Sequence, residues 1–321
     1  MKNPTMILAA LPLAAAAVSP AAVAVENLLG YVAGAETLPK DASEAYLIVT
    51  RRWDKGAGNY PSGAGKYTAY DYTLEYERGL TNRLTGAVEI KGQSINTGGL
   101  VIDGYLPGPE SYGIKTSGIG LKLQYNFLSP AKDDLGLSTT FELKQSWLDP
   151  HSGRDKDTTK FGVGLQMQKY LLDDQLSLMF NTGLEGTYAK RAPLDANTQA
   201  YADTAMQSIT GDPGASFEWP TEPEMELEFK LGLGGSYRFA PNWYIGAETL
   251  YETEFETEVG QERWSWFAGP SLHYGAKDWW ATLTWFRQIE GGKETYIGQS
   301  EDLHLIERTK NELRLKLGYN F

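Results

Sequence analysis

Apolar and polar residues alternate one by one along most of this chain. In "KYTAYDYTLEYERGL", Tyr70, Tyr72, Leu74 and Tyr76 alternate with Asp71, Thr73, Glu75 and Glu77. "GIGLKLQYNF" sets Ile119, Leu121, Leu123, Tyr125 and Phe127 against Gly120, Lys122, Gln124 and Asn126, and "EMELEFKLGLGGSYRF" extends the pattern from Met225 to Phe239. A period of two marks a strand with one apolar and one polar face. Twelve such strands are predicted, at 44–54, 67–78, 84–95, 114–127, 136–147, 159–170, 176–188, 224–239, 243–254, 263–274, 279–289 and 305–321.

The connections alternate in length. "GLTNR", "SPAKDDLG", "LDDQ", "APN" and "GAKD" have the Pro, Gly, Asp and Asn of tight turns. Longer polar stretches fall between them, at 96–110, 148–158, 189–222 and 290–304. An even strand number with short turns on one side and long loops on the other is the plan of an outer-membrane barrel. A soluble β-sandwich also alternates, but its strands usually have about 5 or 6 residues. A tilted bilayer strand needs about 9 to 11, which these reach. Aromatic residues form two belts on the apolar face, with Tyr76, Tyr125, Phe127, Tyr237, Phe239, Trp243, Trp279, Tyr319 and Phe321 toward the turns. Trp147, Tyr188, Tyr251, Trp264 and Trp285 lie toward the loops. The expected fold is all-β, a transmembrane antiparallel up-and-down β-barrel of about twelve strands.

The last stretch, "NELRLKLGYNF", alternates up to Phe321. In a closed barrel this strand pairs with the first, so that no backbone is left unpaired in lipid. It resembles the C-terminal signal of Gram-negative outer-membrane barrels, which implies the barrel-assembly machinery as a partner through Phe321, with outer-membrane lipid and lipopolysaccharide around the barrel.

Composition narrows the picture. Lys2, an apolar run from Met6 to Val18 and Ala22-Val23-Ala24 read as a signal peptide over 1–24. Residues 25–43 are then expected as a periplasmic N-terminal segment and 44–321 as the barrel, exported to the outer membrane. There is no cysteine, which excludes disulfides and thiolate metal sites. A formal net charge of −12 disfavours nucleic acid. No cofactor or metal site is expected: Asp195, Asn197 and Gln199 imitate a calcium loop, but Ala200 and Met206 stand where Gly and Glu are needed.

The polar face lines the lumen. Asp71, Glu75, Glu89, Lys91, Lys122, Glu142, Lys144, Glu228, Lys230 and Glu248 are the candidate lumen residues. Charges of both signs on one face either zip into salt-bridge ladders or line a narrow channel. Inward G-x-G pairs at Gly118 and Gly120, Gly162 and Gly164, and Gly232 and Gly234 either leave space or receive a neighbouring side chain. The 189–222 stretch is long enough to fold inward or to cover the mouth. Three functions stay open: a narrow diffusion channel for small polar or cationic solutes, a closed barrel acting through its loops, and a lipid hydrolase using Ser271 and His273. The last lacks the order of the outer-membrane phospholipase, where His precedes Ser, and the chain is read as a non-enzyme.

The chain also carries Gly30-Tyr31, Glu36-Thr37-Leu38-Pro39-Lys40 and Thr50-Arg51-Arg52-Trp53. In these the start of the exported chain is similar to a family of uncharacterised bacterial outer-membrane proteins, with Asp41 in place of a glycine. It implies the same fold and location and assigns no substrate.

Overall fold

The computed structural model describes residues 27–56, 66–256 and 260–321; the leader reading over 1–24 lies outside them. Twelve long strands close into one antiparallel barrel. They are β1 (Ser43–Trp53), β2 (Thr68–Thr81), β3 (Leu84–Asn96), β6 (Ser111–Leu128), β7 (Gly136–Leu148), β8 (Asp155–Leu171), β9 (Leu176–Arg191), β10 (Glu224–Ala240), β11 (Trp243–Glu256), β12 (Gly260–Gly275), β13 (Trp279–Gly292) and β14 (Asn311–Asn320). Two short strands, β4 (Val101–Ile102) and β5 (Leu106–Pro107), pair in a loop, and α1 (Ala196–Thr210) lies in another. Each strand pairs with its chain neighbour, and β1 pairs with β14 from Glu44↔Asn320 to Trp53↔Asn311. Ser43 and Phe321 then exchange backbone hydrogen bonds at 3.0 and 3.1 Å, so closure runs to the last residue.

The alternation sorts the two faces. Leu74, Ile90, Ile119, Leu121, Phe161 and Ile245 stand more than half exposed on the outside. Their strand partners, such as Glu75, Gln93 and Ser271, are buried inside. An apolar outer band around a polar interior inverts a soluble fold and suits a barrel immersed in lipid.

At the long-loop end the connections pack into a cap. Tyr67, Ile95, Leu100, Ile102, Leu106, Tyr296, Leu305 and Ile306 form one buried cluster. The stretch 189–222, read from sequence as a loop without regular structure, contains α1, which buries Ala202, Ala205 and Met206 against Val101 and Phe217. Asp195 belongs to this helix: it is the N-cap, its carboxylate accepting from the Asn197 and Thr198 amides at 3.0 Å.

Two expected boundaries change. Residues 305–310 were expected in the last strand, because "LHLIER" alternates in the same way. They form an inward loop instead, since Leu305 and Ile306 bury in the cap and Lys55 Nζ donates to the carbonyls of Leu305, Ile306 and Arg308 at 2.8–3.1 Å. Residues 27–42, expected outside the barrel on its periplasmic side, run inside it.

Candidate functional site in the lumen

The segment 27–42 enters and leaves at the short-turn end and turns back at mid-barrel. Asn27 meets Thr282 and Lys316 near that end. Gly30 to Val32 reach Glu248, Ala33 exchanges hydrogen bonds with Asn181 (2.7 and 2.9 Å), and Ala35 meets Gln168 and Asn126 on the way back. The Leu38 amide then donates to Thr85, and the Asp41 amide to the Gly79 carbonyl at the rim. Asp41 has φ 67°, a left-handed conformation that glycine adopts freely and aspartate tolerates. This accounts for glycine as the alternative there. A side chain on Gly79 would collide with the Pro39 carbonyl, so that glycine keeps the exit open.

Glu248 is the seat of this segment. Its Oε1 accepts from the Gly30 amide at 2.7 Å, Ser271 Oγ at 2.7 Å and Thr284 Oγ1 at 3.0 Å. Its Oε2 accepts from the Tyr31 and Val32 amides at 2.8 and 2.9 Å. Three successive amides on one buried carboxylate form an anion nest. Tyr31 completes the apex: its ring stacks on Phe286 at 4.1 Å, Arg314 lies 3.7 Å from its centre on a cation–π contact, and its hydroxyl donates to Glu312 at 2.6 Å.

The inward glycines meet different fates. Gly234 and Gly246 form a hollow that holds Leu29; a Cβ on Gly246 would come within 2.7 Å of Leu29 Cδ2, and one on Gly234 would overlap Leu29 Cδ1. Gly162 and Gly164, the same pattern on β8, line the chamber instead: a Cβ on Gly162 would make only ordinary contacts from 3.5 Å, and one on Gly164 would come within 2.9 Å of Gln166 Nε2. On β6, the Glu89 carboxylate lies over Gly120 and the β7 backbone crowds Gly118.

Between the re-entrant segment and the cap is a polar chamber of about 630 Å³. Tyr31 and Ala33 line it from the segment side, and Pro150, His151, Glu307 and Arg308 from the loops. Of the sequence candidates, Asp71, Lys122, Glu142, Lys144, Glu228 and Lys230 line this chamber. The other four lie apart from it: Glu75 shares Lys122 with Glu77, Glu89 pairs with Lys91 at 3.2 Å, and Glu248 holds the segment.

Ion pairs tie much of the lining together. Glu185 receives Lys160 at 2.9 Å, Lys144 at 3.3 Å and Lys230 at 3.8 Å. Arg308 bridges Glu228 and Glu252 at 2.7 and 2.9 Å, and Arg52 grips Asp71 with two nitrogens at 2.6 and 2.9 Å. Arg263 gathers Glu254, Glu262, Glu294 and Glu307 within 3.3 Å. Burial opposes the charge on Glu307, but Arg263 and neighbouring cations outweigh it and hold that carboxyl well below the usual range. Burial pushes His151 and His304 well down, so both are neutral at pH 7. Strand parity alone could have found Arg52, Glu185 and Glu252. Tyr31 lies outside the strands and gave no period to read, and Glu307 and Arg308 fell within the expected strand 305–321 but sit in the inward loop that replaces its start.

The Ser271 and His273 pair does not assemble for hydrolysis. They sit two residues apart on β12, roughly 7 Å along an extended strand. Ser271 hydrogen-bonds to Glu248 and Thr284, and His273 Nδ1 to Thr282 at 2.7 Å.

An apolar outer face, a charged lumen and closed twelve-stranded topology define a transmembrane β-barrel of the outer-membrane type. More narrowly, the chain belongs to a family of unknown function (DUF6662), whose model matches residues 21–321. No curated protein matches the sequence significantly. Among solved structures, the fold is similar to the COG4313 outer membrane channel from Pseudomonas putida F1, with a TM-score of 0.55 and 11% identity over 89% of this chain and 97% of that one. The NanC porin aligns with a TM-score of 0.42 and 10% identity, over 87% of this chain and 100% of its own. The translocator domain of the autotransporter NalP from Neisseria meningitidis gives 0.45 and 12%, over 88% and 89%.

Proposed function

We propose that this protein is an outer-membrane diffusion channel for small polar solutes, plugged from the periplasmic side by its own residues 27–42. The observation that carries the reading is the seating of that segment. It is held by many hydrogen bonds to a polar wall, beside a small apolar cluster of Leu28, Leu29 and Val32, the Tyr31 stack on Phe286 and buried Leu38, so water can replace the polar part of what release breaks. The chamber above it is already large enough for a small solute. In this arrangement the lumen acids do not act as one cation filter, because Glu75, Glu77, Glu89 and Glu248 are occupied by lysines or by the segment. Phe321, more than half exposed at the short-turn rim, would present the C-terminal assembly signal, and the outer belts would meet lipid and lipopolysaccharide.

The chain has no cysteine, so one engineered disulfide tests the reading without side reactions. Ala33→Cys with Asn181→Cys joins two residues that already exchange two hydrogen bonds. In planar bilayers the reduced protein should show discrete current steps, and oxidation should abolish them reversibly. A protein that folds, shifts its gel mobility on heating and is silent in both states would instead be a closed barrel acting through its capped loops.

A further inference from the structure

The chamber wall shows an ordered separation of charge. The register aligns Lys144 with Lys160, Lys160 with Thr187 and Thr187 with Glu226 in one row across β7, β8, β9 and β10. All four line the chamber. Lysines thus stand at one end of the row and a glutamate at the other, with a hydroxyl between. Lys160 is about one-third exposed (34%), and its one ion pair among the described residues, with Glu185, leaves ammonium protons free to donate. The Glu226 side chain makes no hydrogen bond or ion pair among the described residues, and it is the one acid on the β10 and β11 wall of the chamber left so. Glu228 and Glu252 share Arg308 and Lys230, and Glu254 has Arg263.

Beside this row the wall is recessed. Gly162 lies two residues along β8 from Lys160, and Gly164 pairs with Gly183 one step further. All three face the chamber. The room lies at Gly162, where a Cβ would meet nothing nearer than Glu142 Oε2 at 3.5 Å, while the Gln166 amide lies over Gly164 at 2.9 Å from such a position.

We propose that this row is a binding site for a small zwitterion of α-amino-acid size, its carboxylate on Lys160 and its ammonium on Glu226. Lys160 and Glu226 stand two strands apart, about 9.5 Å between backbones, and both line the chamber. The two charged groups of an α-amino acid lie about 3 Å apart, so a zwitterion of that size takes a hydrogen bond of about 2.8 Å at each end with the lysine side chain reaching toward Glu226. An ion of either sign leaves one end of the row unmatched. Thr187 is placed beneath the ligand's centre, and the recess takes its side chain. The site rests on the channel reading only in that solute must be able to reach the chamber.

The test is a calorimetric titration of the refolded full chain in detergent, with folding checked by heat-dependent gel mobility. L-Alanine is the probe, and propionate and ethylammonium are its single-charge halves. L-Alanine should bind at least about tenfold tighter than either half, the expected value of one charge-assisted contact. Glu226→Gln should weaken L-alanine by about the same factor and leave propionate unchanged. Lys160→Gln should do the converse, leaving ethylammonium unchanged. No saturable L-alanine binding, halves that bind as well as the whole, or variants that bind L-alanine normally would each overturn the site. Saturable binding with no conductance in bilayers refutes the channel and leaves the site; conductance without binding does the reverse.

Discussion

Glu248→Gln is the sharpest probe of how residues 27–42 are seated. Gln keeps the shape and replaces one oxygen with an NH2 group. If that NH2 took the Oε2 position, it would face the Tyr31 and Val32 amides and leave two buried N–H groups unsatisfied. At the Oε1 position it meets the Ser271 and Thr284 hydroxyls, which can rotate to accept, and only the Gly30 amide loses its partner. The side chain therefore settles with its NH2 toward Ser271. One orphaned amide and the loss of charge assistance at the remaining bonds cost about 2 kcal/mol, or roughly 30-fold in the seated-to-released equilibrium. Hydrogen exchange reads this directly. The amides of Gly30, Tyr31 and Val32 should lose protection together by about that factor, while amides of the barrel wall such as Leu74 or Leu121 keep theirs. The mean open time in bilayers should lengthen in step. If those three amides exchange at the wild-type rate in a folded Glu248→Gln barrel, the nest is not what holds the segment and the reasoning fails.

Two further outcomes follow from other contacts. Gly234→Leu fills the hollow that holds Leu29, removing roughly 2 kcal/mol of apolar burial, so channel openings should become longer while heat-dependent gel mobility stays normal; unchanged openings would show that Leu29 is not an anchor. Acid should loosen the inward loops 149–154 and 293–310. His151 and His304 have folded-state pKa values below their unfolded value of about 6.5, so their contribution to loop docking is complete above that pH and is lost as pH falls below it. Glu307, depressed in the fold, adds a second loss only at lower pH, below about 4.3. Proteolysis within these loops should accelerate between pH 7.5 and 5.5, and equal rates at both would refute the assignment.

The barrel was legible because its outer face has one partner, lipid, with one rule. Wherever alternate residues must be apolar, a period of two appears, and 84–95 and 279–289 were placed within a few residues of Leu84–Asn96 and Trp279–Gly292. The same rule misplaced 305–310, since Leu305 and Ile306 answer to the cap and not to lipid. The re-entrant segment left no period at all. It has no regular backbone pattern of its own, and the group that fixes its apex lies 218 residues away from Gly30. Its motif was nevertheless visible: Gly30 is there because a Cβ would fall 2.6 Å from Thr284 Oγ1.

The inner face obeys no single rule, because its partner is the chain itself. Identical G-x-G text on β8 and β10 means chamber wall at Gly162 with a Gln166 side chain over Gly164 in one case, and the bed of Leu29 and Val32 in the other. Charge behaves in the same way. Glu248 and Glu226 are both inward acids on neighbouring strands, yet one is saturated by five donors and the other has no partner among the described residues. Summing lumen charge to infer selectivity treats the two alike. The relevant quantity is the charge left over once internal partners are assigned, and on the β8 to β10 wall that is the Glu226 carboxylate, two strands from a lysine whose one ion pair among the described residues is with Glu185. With the proposed site in place, such a lumen would select by the separation of charge within the solute, more than by its net sign.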